Sequence, residues 1–214
     1  MILYWVLLVI IAIIAYIFGS LDTRVIASNF IFHRGLKRLG KGGKWFSNFK
    51  RLYGIPGFIK IGLVEIAKNL LPIIIGGLLL SIKGHPVPGR AFAGFCLVMG
   101  SLFPCFYNLR GSHGAIALFF AAICVDTSVG LAAGAVMAAV SWLSKYISLG
   151  TVAGAVAMIL ASVLVLDGSV LIWLSVFSAL LVIIKHVPAI ARLLKGTEEK
   201  FMIVEDLSYK LDEQ

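Results

Sequence analysis

Residues 149–184 read LGTVAGAVAMILASVLVLDGSVLIWLSVFSALLVII, with Asp167 as the single charged side chain. As a helix with a rise of about 1.5 Å per residue, each half of this stretch is long enough, or nearly so, to cross the roughly 30 Å hydrocarbon core of a bilayer. Asp167 and Gly168 supply the break between the two halves. The stretch therefore predicts two membrane-spanning helices, at 149–166 and 168–184.

The rest of the chain repeats this pattern. Hydrophobic residues make up 60% of the sequence and charged residues only 14%, whereas a soluble protein carries about a quarter charged residues. The sequence predicts an all-α membrane protein, a bundle of about seven transmembrane helices. The five further apolar segments are 2–20, 57–82, 91–107, 114–126 and 127–143. Only Asp126 and Thr127 separate two of them, so a short span or a re-entrant hairpin is an alternative there.

Small residues recur one helical turn apart in two of these segments. Gly130 and Gly134 lie in one, and Gly150 and Gly154 lie in another. This spacing lets helix backbones approach closely in lipid. We therefore expect these helices to pack at the centre of the bundle.

Positive charge sets the orientation. If the amino terminus lies outside, sixteen of the 19 Lys and Arg residues fall in inside loops or the carboxyl-terminal tail, as the positive-inside rule requires. We therefore expect a multi-pass protein of the cell membrane with a cytosolic carboxyl terminus and a cytosolic active face. The first segment lacks the basic start and cleavage site of a signal peptide and is interpreted as an uncleaved helix. The basic residues flank spans instead of forming a stripe, which favours lipid or substrate phosphates over nucleic acid.

The chain is expected to form one domain over residues 1–200, followed by a short cytosolic tail at 201–214. No role is assigned to the residues from Thr197 onward. Cys96, Cys105 and Cys124 have spacings that suit neither a zinc site nor a disulfide framework. We therefore expect no metal and no cofactor, and the sequence leaves any protein partner unknown.

Three clusters could bind anions. In residues 40–48, GKGGKWFSN, glycines allow backbone N–H groups to converge while Lys41 and the nearby Arg51 supply charge, although the spacing of a P-loop is absent. An alternative for the wider segment 22–55 is an amphipathic helix lying on anionic lipid. In residues 110–114, RGSHG, two glycines flank a polar pair beside Arg110, again suiting an anion site.

The third cluster lies inside an apolar segment. Glu65 and Lys68 are three residues apart, and Asn69 follows one turn beyond Glu65, so the three share a helix face. Ionisable groups inside a span are costly unless paired or wetted, and they tend to mark polar cavities. A structural ion pair and a substrate site are both consistent with this pattern.

Read in order, these motifs resemble the PlsY family, the acyl-phosphate:glycerol-3-phosphate acyltransferases of bacterial phospholipid synthesis. The resemblance extends to about residue 199. The matching motifs are Phe18-Gly19-Ser20, Asn48-x-x-Arg51-x-x-Gly54, Glu65-x-x-Lys68, Gly100-x-x-x-Pro104, Arg110-Gly111-x-x-Gly114, Lys145-Tyr-x-Ser148-Leu149 and Lys185-His186.

The resemblance implies an acyl transfer from acyl phosphate to glycerol 3-phosphate, giving lysophosphatidic acid. It implies catalytic roles for His113, Ser148 and His186. It also implies a substrate-binding set formed by Lys41, Asn48, Arg51, Glu65, Lys68, Arg110, Gly111 and Gly114. Several motif positions depart from the family pattern: Lys41 replaces a serine, Glu65 an aspartate and His113 a lysine, while Pro188 and Ala189 replace an acid and an amide.

Two other functions remain open from the sequence. The motif departures favour a catalytically altered relative that binds a phosphorylated lipid or regulates lipid synthesis. A transporter or channel would need more than the membrane-depth charges Glu65, Lys68 and Asp126, and the sequence has no clear internal repeat.

Overall fold

The structure, a computed structural model, describes residues 2–26, 43–106 and 114–198, without the side chains of Arg24, of residues 43–52 and of Phe58. These residues form seven long helices and one short one. The helices are α1 (Ile2–Ser20), α2 (Thr23–Ile26), α3 (Gly43–Ser81), α4 (Pro86–Leu102), α5 (Ala115–Val125), α6 (Thr127–Ser144), α7 (Ile147–Val165) and α8 (Ser169–Leu194). The all-α bundle predicted from the sequence is confirmed.

Five of the helices are long and apolar enough to cross a membrane: α1, α6, α7, α8 and the Tyr53–Ser81 part of α3. Their outward faces carry large apolar side chains, such as Leu143 and Leu164, which are more than four-fifths exposed. Such a surface is unfavourable in water and favourable against lipid tails. The outer surface of the bundle therefore suits a lipid bilayer.

The helix α3 begins earlier than the span predicted at 57–82. It starts at Gly43 and is broken at Gly54, where φ is 64° and ψ is −167°. Glycine suits this break because residues with a Cβ rarely adopt that backbone conformation. Of the segment 22–55, considered as an amphipathic helix on lipid, Thr23–Ile26 and the residues from Gly43 are helical, and residues 27–42 lie outside the described part of the chain.

The helix α5 is too short to cross a membrane. Its 11 residues span about 16 Å, roughly half of the hydrocarbon core. Asp126 separates it from α6, and its Oδ1 atom accepts hydrogen bonds from the backbone N–H groups of Ser128 (2.8 Å) and Val129 (3.2 Å). This N-cap ends one helix and begins the next, which agrees with the short span considered from the sequence.

The helix α4 lies at the centre of the bundle. It packs against α1, α3, α5 and α8, and most of its side chains are buried. The crossing with α1 is especially close, because a Cβ atom on Gly19 would overlap the carbonyl oxygen of Leu97, and one on Gly100 would overlap that of Tyr16. These two glycines, both in predicted motifs, are therefore required for helix packing.

Close approach of the glycine-containing helices α6 and α7 to their neighbours was also predicted, and it is present. A Cβ atom on Gly154 would lie 2.8 Å from the Cβ atom of Met137, and one on Gly150 would overlap the hydroxyl of Ser141. The predicted location at the centre was wrong for α6, however. Only 17% of its apolar span is buried. Its own glycines, Gly130 and Gly134, face α5 instead of α7.

Candidate functional site at one end of the bundle

The helices α1, α4 and α8 end on the same side of the bundle, which we call the site end. Tyr16 of α1 donates a hydrogen bond from its hydroxyl to the carbonyl of Phe103, just after α4 (2.6 Å). Lys185 of α8 donates from Nζ to the carbonyl of Leu102 (3.0 Å). At the opposite end the ring of Tyr4 lies 6.4 Å from that of His85. The predicted functional residues that the structure describes lie at the site end.

Glu65 is the centre of a polar cluster on α3. Its Oε1 atom lies 3.1 Å from Nζ of Lys68 and accepts a hydrogen bond from Nδ2 of Asn69 at 3.0 Å. Its Oε2 atom accepts from the hydroxyl of Thr23. The predicted shared face of these three α3 residues is present, and the carboxylate has partners on both oxygens.

The cluster joins α3 to the end of α1. Lys68 donates from Nζ to the backbone carbonyl of Leu21 at 3.4 Å, and Thr23 binds Glu65 from the next turn of the chain. The side chain of Lys68 is 11% exposed and that of Glu65 is 23% exposed. A partly buried ion pair therefore holds the chain where it leaves α1 and enters the segment that contains Lys41.

The chain on either side of residues 107–113 is anchored at Leu102. On one side, Lys185 binds the carbonyl of Leu102, and its ammonium lies 4.8 Å from the ring centroid of Phe103. On the other side, Gly114 is buried with φ at 72°, and a Cβ atom there would lie 2.7 Å from Cδ2 of Leu102. The described residues on the two sides of 107–113 thus meet at the junction of α4 and α8.

His186 and Ser148 occupy two further positions at the site end. His186 is 2% exposed, and its Nδ1 atom lies 2.8 Å from the carbonyl of Val182. A carbonyl can only accept, so Nδ1 carries the proton, and in the neutral ring Nε2 is the proton acceptor. The hydroxyl of Ser148 donates to Oε1 of Glu198 at 2.6 Å.

Comparison with known proteins identifies the family. The sequence model described as "Glycerol-3-phosphate acyltransferase" matches residues 9–196. The chain belongs to the glycerol-3-phosphate acyltransferase family. This assignment confirms the resemblance inferred from the motifs and the prediction of an integral membrane acyltransferase.

Curated members of the family align with most of the chain. The glycerol-3-phosphate acyltransferase of Thermoanaerobacter sp. (strain X514) is 29% identical over 88% of this chain and 93% of its own length. The one from Staphylococcus carnosus (strain TM300) is 25% identical over 91% of this chain and 98% of its own length. The alignments cover more than nine tenths of the length of both acyltransferases.

The fold agrees with that of an acyltransferase of known structure. The glycerol 3-phosphate form of PlsY (YgiH), described as an integral membrane glycerol 3-phosphate acyltransferase, superposes with a TM-score of 0.73 at 21% identity, covering 97% of this chain and 99% of that one. Its lysophosphatidic acid form gives the same TM-score over 91% and 95%. The described helices therefore adopt the acyltransferase fold.

The structure describes some of the predicted site residues and not others. Glu65, Lys68, Ser148, His186 and Gly114 are described and lie at the site end. Asn48 and Arg51 are on α3 before the break at Gly54, but their side chains are not described. Four others, namely Lys41, Arg110, Gly111 and His113, lie outside the described residues, as does the predicted tail at 201–214.

Sequence reasoning missed several residues that shape the site end. Tyr16 and Thr23 gave no pattern that distinguishes them from ordinary helix-end residues. Glu198 lies in the segment to which no role was assigned, yet its carboxylate binds both Ser148 and Arg192. An acidic residue just after a strongly basic helix end was the available signal for Glu198.

Metal ligands are not brought together in the part of the chain that the structure describes. Within residues 2–26, 43–106 and 114–198, no three His, Cys, Asp or Glu side chains are grouped to hold a metal ion. The three cysteines are free thiols. The described functional groups at the site end are cationic and hydrogen-bonding side chains.

Proposed function

We propose that this chain transfers an acyl group from acyl phosphate to glycerol 3-phosphate, giving lysophosphatidic acid and inorganic phosphate. The observation that carries the proposal is the family match over residues 9–196. The solved PlsY structures, by their descriptions, contain glycerol 3-phosphate and lysophosphatidic acid. Motif residues gathered at one end of this bundle support the same reaction.

The reaction joins an acceptor hydroxyl to an activated acyl carbon. The hydroxyl oxygen of glycerol 3-phosphate attacks the carbonyl carbon of the mixed anhydride, a new ester C–O bond forms, and the C–O bond to phosphate breaks. Phosphate leaves with the electron pair, so stabilising negative charge is the main catalytic requirement. The proton of the hydroxyl passes to His186, to His113 or to a substrate phosphate oxygen.

Cationic side chains bind the phosphate groups in this proposal. Arg51 and Arg110 offer planar, bidentate donors that match phosphate oxygens. Lys68 gives two donors to Glu65 and Leu21, which leaves the third donor of the ammonium for a substrate oxygen. Lys41, Asn48 and the backbone around Gly111 and Gly114 complete the binding set.

His186 and Ser148 have geometry that suits proton transfer and orientation. With Nδ1 held by the carbonyl of Val182, the ring is fixed in the tautomer that a general base requires. Ser148 supplies a hydroxyl at the start of α7 that can donate to a phosphate oxygen. Glu65 acts by holding Lys68 in position.

The side of the membrane that the site end faces follows from the distribution of Lys and Arg residues. With sixteen of the 19 Lys and Arg residues inside, the site end faces the cytosol of a multi-pass inner-membrane protein. Glycerol 3-phosphate would then enter from the cytosol, and the acyl chain would lie among the apolar helices.

A turnover assay tests the proposal. The purified protein, reconstituted in lipid, is given palmitoyl phosphate and radiolabelled glycerol 3-phosphate, and lysophosphatidic acid and inorganic phosphate are both measured. We expect equal amounts of the two products, much less product with palmitoyl-CoA, and a loss of at least about 100-fold in Arg51→Ala, the scale expected when a charge-stabilising donor is removed.

The control for this assay is Arg90→Gln, because Arg90 lies near the start of α4, at the opposite end of the bundle. Full activity in Arg51→Ala, or no lysophosphatidic acid from a folded wild-type protein, would reject the assignment.

A binding-only function is the second candidate, because Lys41, His113 and Ala189 depart from the family motifs. A protein of this kind would bind acyl phosphate or lysophosphatidic acid without releasing phosphate. The same assay, paired with equilibrium binding of the labelled lipids, separates the two functions.

A further inference from the structure

The chain turns back on itself at the end of α8. The N–H of Thr197 donates to the carbonyl of Arg192 at 2.9 Å, and the N–H of Gly196 donates to that of Leu193 at 3.0 Å. Gly196 has φ at 68°, the left-handed conformation that this C-terminal capping motif requires. The turn directs Glu198 back toward the helix it has just left.

Glu198 then bridges two donors. Its Oε1 atom accepts from the hydroxyl of Ser148 at 2.6 Å, and its Oε2 atom accepts from Nε of Arg192 at 2.7 Å. The side chain is only 11% exposed. The carboxylate is therefore an integral part of the site end.

A hydroxyl and a guanidinium that converge on two oxygens of one anion form a receptor for an oxoanion. We propose that Ser148 and Arg192 form a binding site for phosphoryl oxygens of the substrate, and that Glu198 occupies this site in the free protein. This inference rests on the proposed function for the identity of the ligand. Glu198 lies just beyond residue 196, where the match to the family model ends.

Competition follows from the number of donors. A serine hydroxyl carries one proton, and Nε of an arginine carries one. While both point to Glu198, a phosphate oxygen can reach only the terminal N–H groups of Arg192, so a substrate that uses the whole site must displace the carboxylate. The apparent affinity for the phosphate ligand is then reduced by the fraction of molecules in which the site is open.

Equilibrium binding tests the inference without turnover. Radiolabelled glycerol 3-phosphate is titrated against the full chain in lipid nanodiscs, and palmitoyl phosphate and inorganic phosphate are used as competitors to show which phosphoryl group occupies the site. We expect Glu198→Gln and Glu198→Ala to bind about fivefold more tightly than wild type, the factor for a site that is open about one fifth of the time. Ser148→Ala and Arg192→Gln are expected to bind more weakly.

The matched control is Glu199→Gln, which makes the same change in net charge one residue later. A similar gain in affinity in this control would show that general electrostatics, not occupancy, explains the effect. Gly196→Ala strains the turn and should also tighten binding, by a smaller factor.

Three results would overturn the inference: unchanged affinity in both Glu198 variants, weaker binding in both, or the same gain in Glu199→Gln. Because binding is measured directly, the outcome is independent of catalysis. A protein that forms no lysophosphatidic acid can still show the Glu198 effect, and an active enzyme can fail to show it.

Discussion

Glu65→Gln is the substitution that best tests the polar cluster on α3. It keeps the shape of the side chain and removes the charge that balances Lys68, 3.1 Å away. The amide can still accept from Thr23 or Asn69, so the main loss is the ion pair. The expected result is a less stable protein whose segment after α1 is less well held.

The size of the expected loss in stability depends on how far the ion pair between Glu65 and Lys68 is buried. Breaking a fully buried ion pair costs about 3–5 kcal/mol, whereas an exposed pair contributes about 0–1 kcal/mol. With side chains 11% and 23% exposed, this pair lies between those limits, and we expect a loss of about 2 kcal/mol. For a chain of this length, that corresponds to a fall in melting temperature of about 4–8 °C.

The assay is thermal unfolding in lipid nanodiscs, followed by tryptophan fluorescence. The double variant Glu65→Gln/Lys68→Met should recover at least half of the loss, because it leaves no unpaired charge. Lys60→Met, on an exposed lysine two turns earlier on α3, is the control and should leave the melting temperature within about 1 °C, since surface changes are small.

Additive losses in the double variant would refute the reasoning, because they would mean that the two side chains do not stabilise each other. The double variant also separates the two interpretations of the pair. If Lys68 only pairs with Glu65, the double variant regains affinity for glycerol 3-phosphate along with stability. If Lys68 also binds phosphate, stability returns but affinity does not.

Three further predictions follow from the fold. Gly100→Ala should lower stability by about 1–3 kcal/mol in nanodisc melts, because the new methyl overlaps the carbonyl of Tyr16, and a normal melt would contradict the close crossing. Asp126→Ala should cost about 1 kcal/mol in the same measurement by removing the N-cap of α6, whereas Asp126→Asn should cost less. Lys185→Met should lower kcat for lysophosphatidic acid formation by about tenfold or more through misplacement of the chain around 107–113. Lys185→Arg should restore most of that rate, and equal rates in both variants would count against an anchoring role.

Much of the fold could be predicted because lipid imposes a simple rule on sequence. Apolar runs must be helical when their backbone groups have no water to bind, so the segments at 2–20, 127–143 and 149–166 correspond closely to α1, α6 and α7. The break between two helices at Asp126 could also be predicted, since aspartate is a preferred N-cap. The extent of α3 before Gly54 was left open, because its first part is too polar for a span and an amphipathic helix over 22–55 was only one of the alternatives.

Packing was harder to predict than the helices themselves. Glycines one turn apart correctly indicated that α6 and α7 approach other helices closely. They did not indicate which helices, nor the position of α6 at the edge of the bundle. The central place of α4 depends on Gly19 and Gly100, which come from different helices. A spacing rule within one helix cannot reveal such a pair.

The candidate site was predictable only in part. Glu65, Lys68 and Asn69 share a face because of local helical spacing, so this cluster could be predicted from the sequence alone. Its partner Thr23 comes from a distant part of the chain, as does the partner of Ser148, Glu198. Contacts of this kind depend on how the helix ends meet, and a short polar segment gives no sign of them.

The central claim is that cations from separate loops bind phosphate together at the site end. The most direct measurement is an experimental structure of the reconstituted chain with glycerol 3-phosphate. The account predicts phosphate oxygens within about 3.2 Å of donor atoms on Arg51, Lys68 and Arg110, the range for N–H···O bonds. Phosphate bound at the opposite end, or those three side chains on different faces of the membrane, would contradict it.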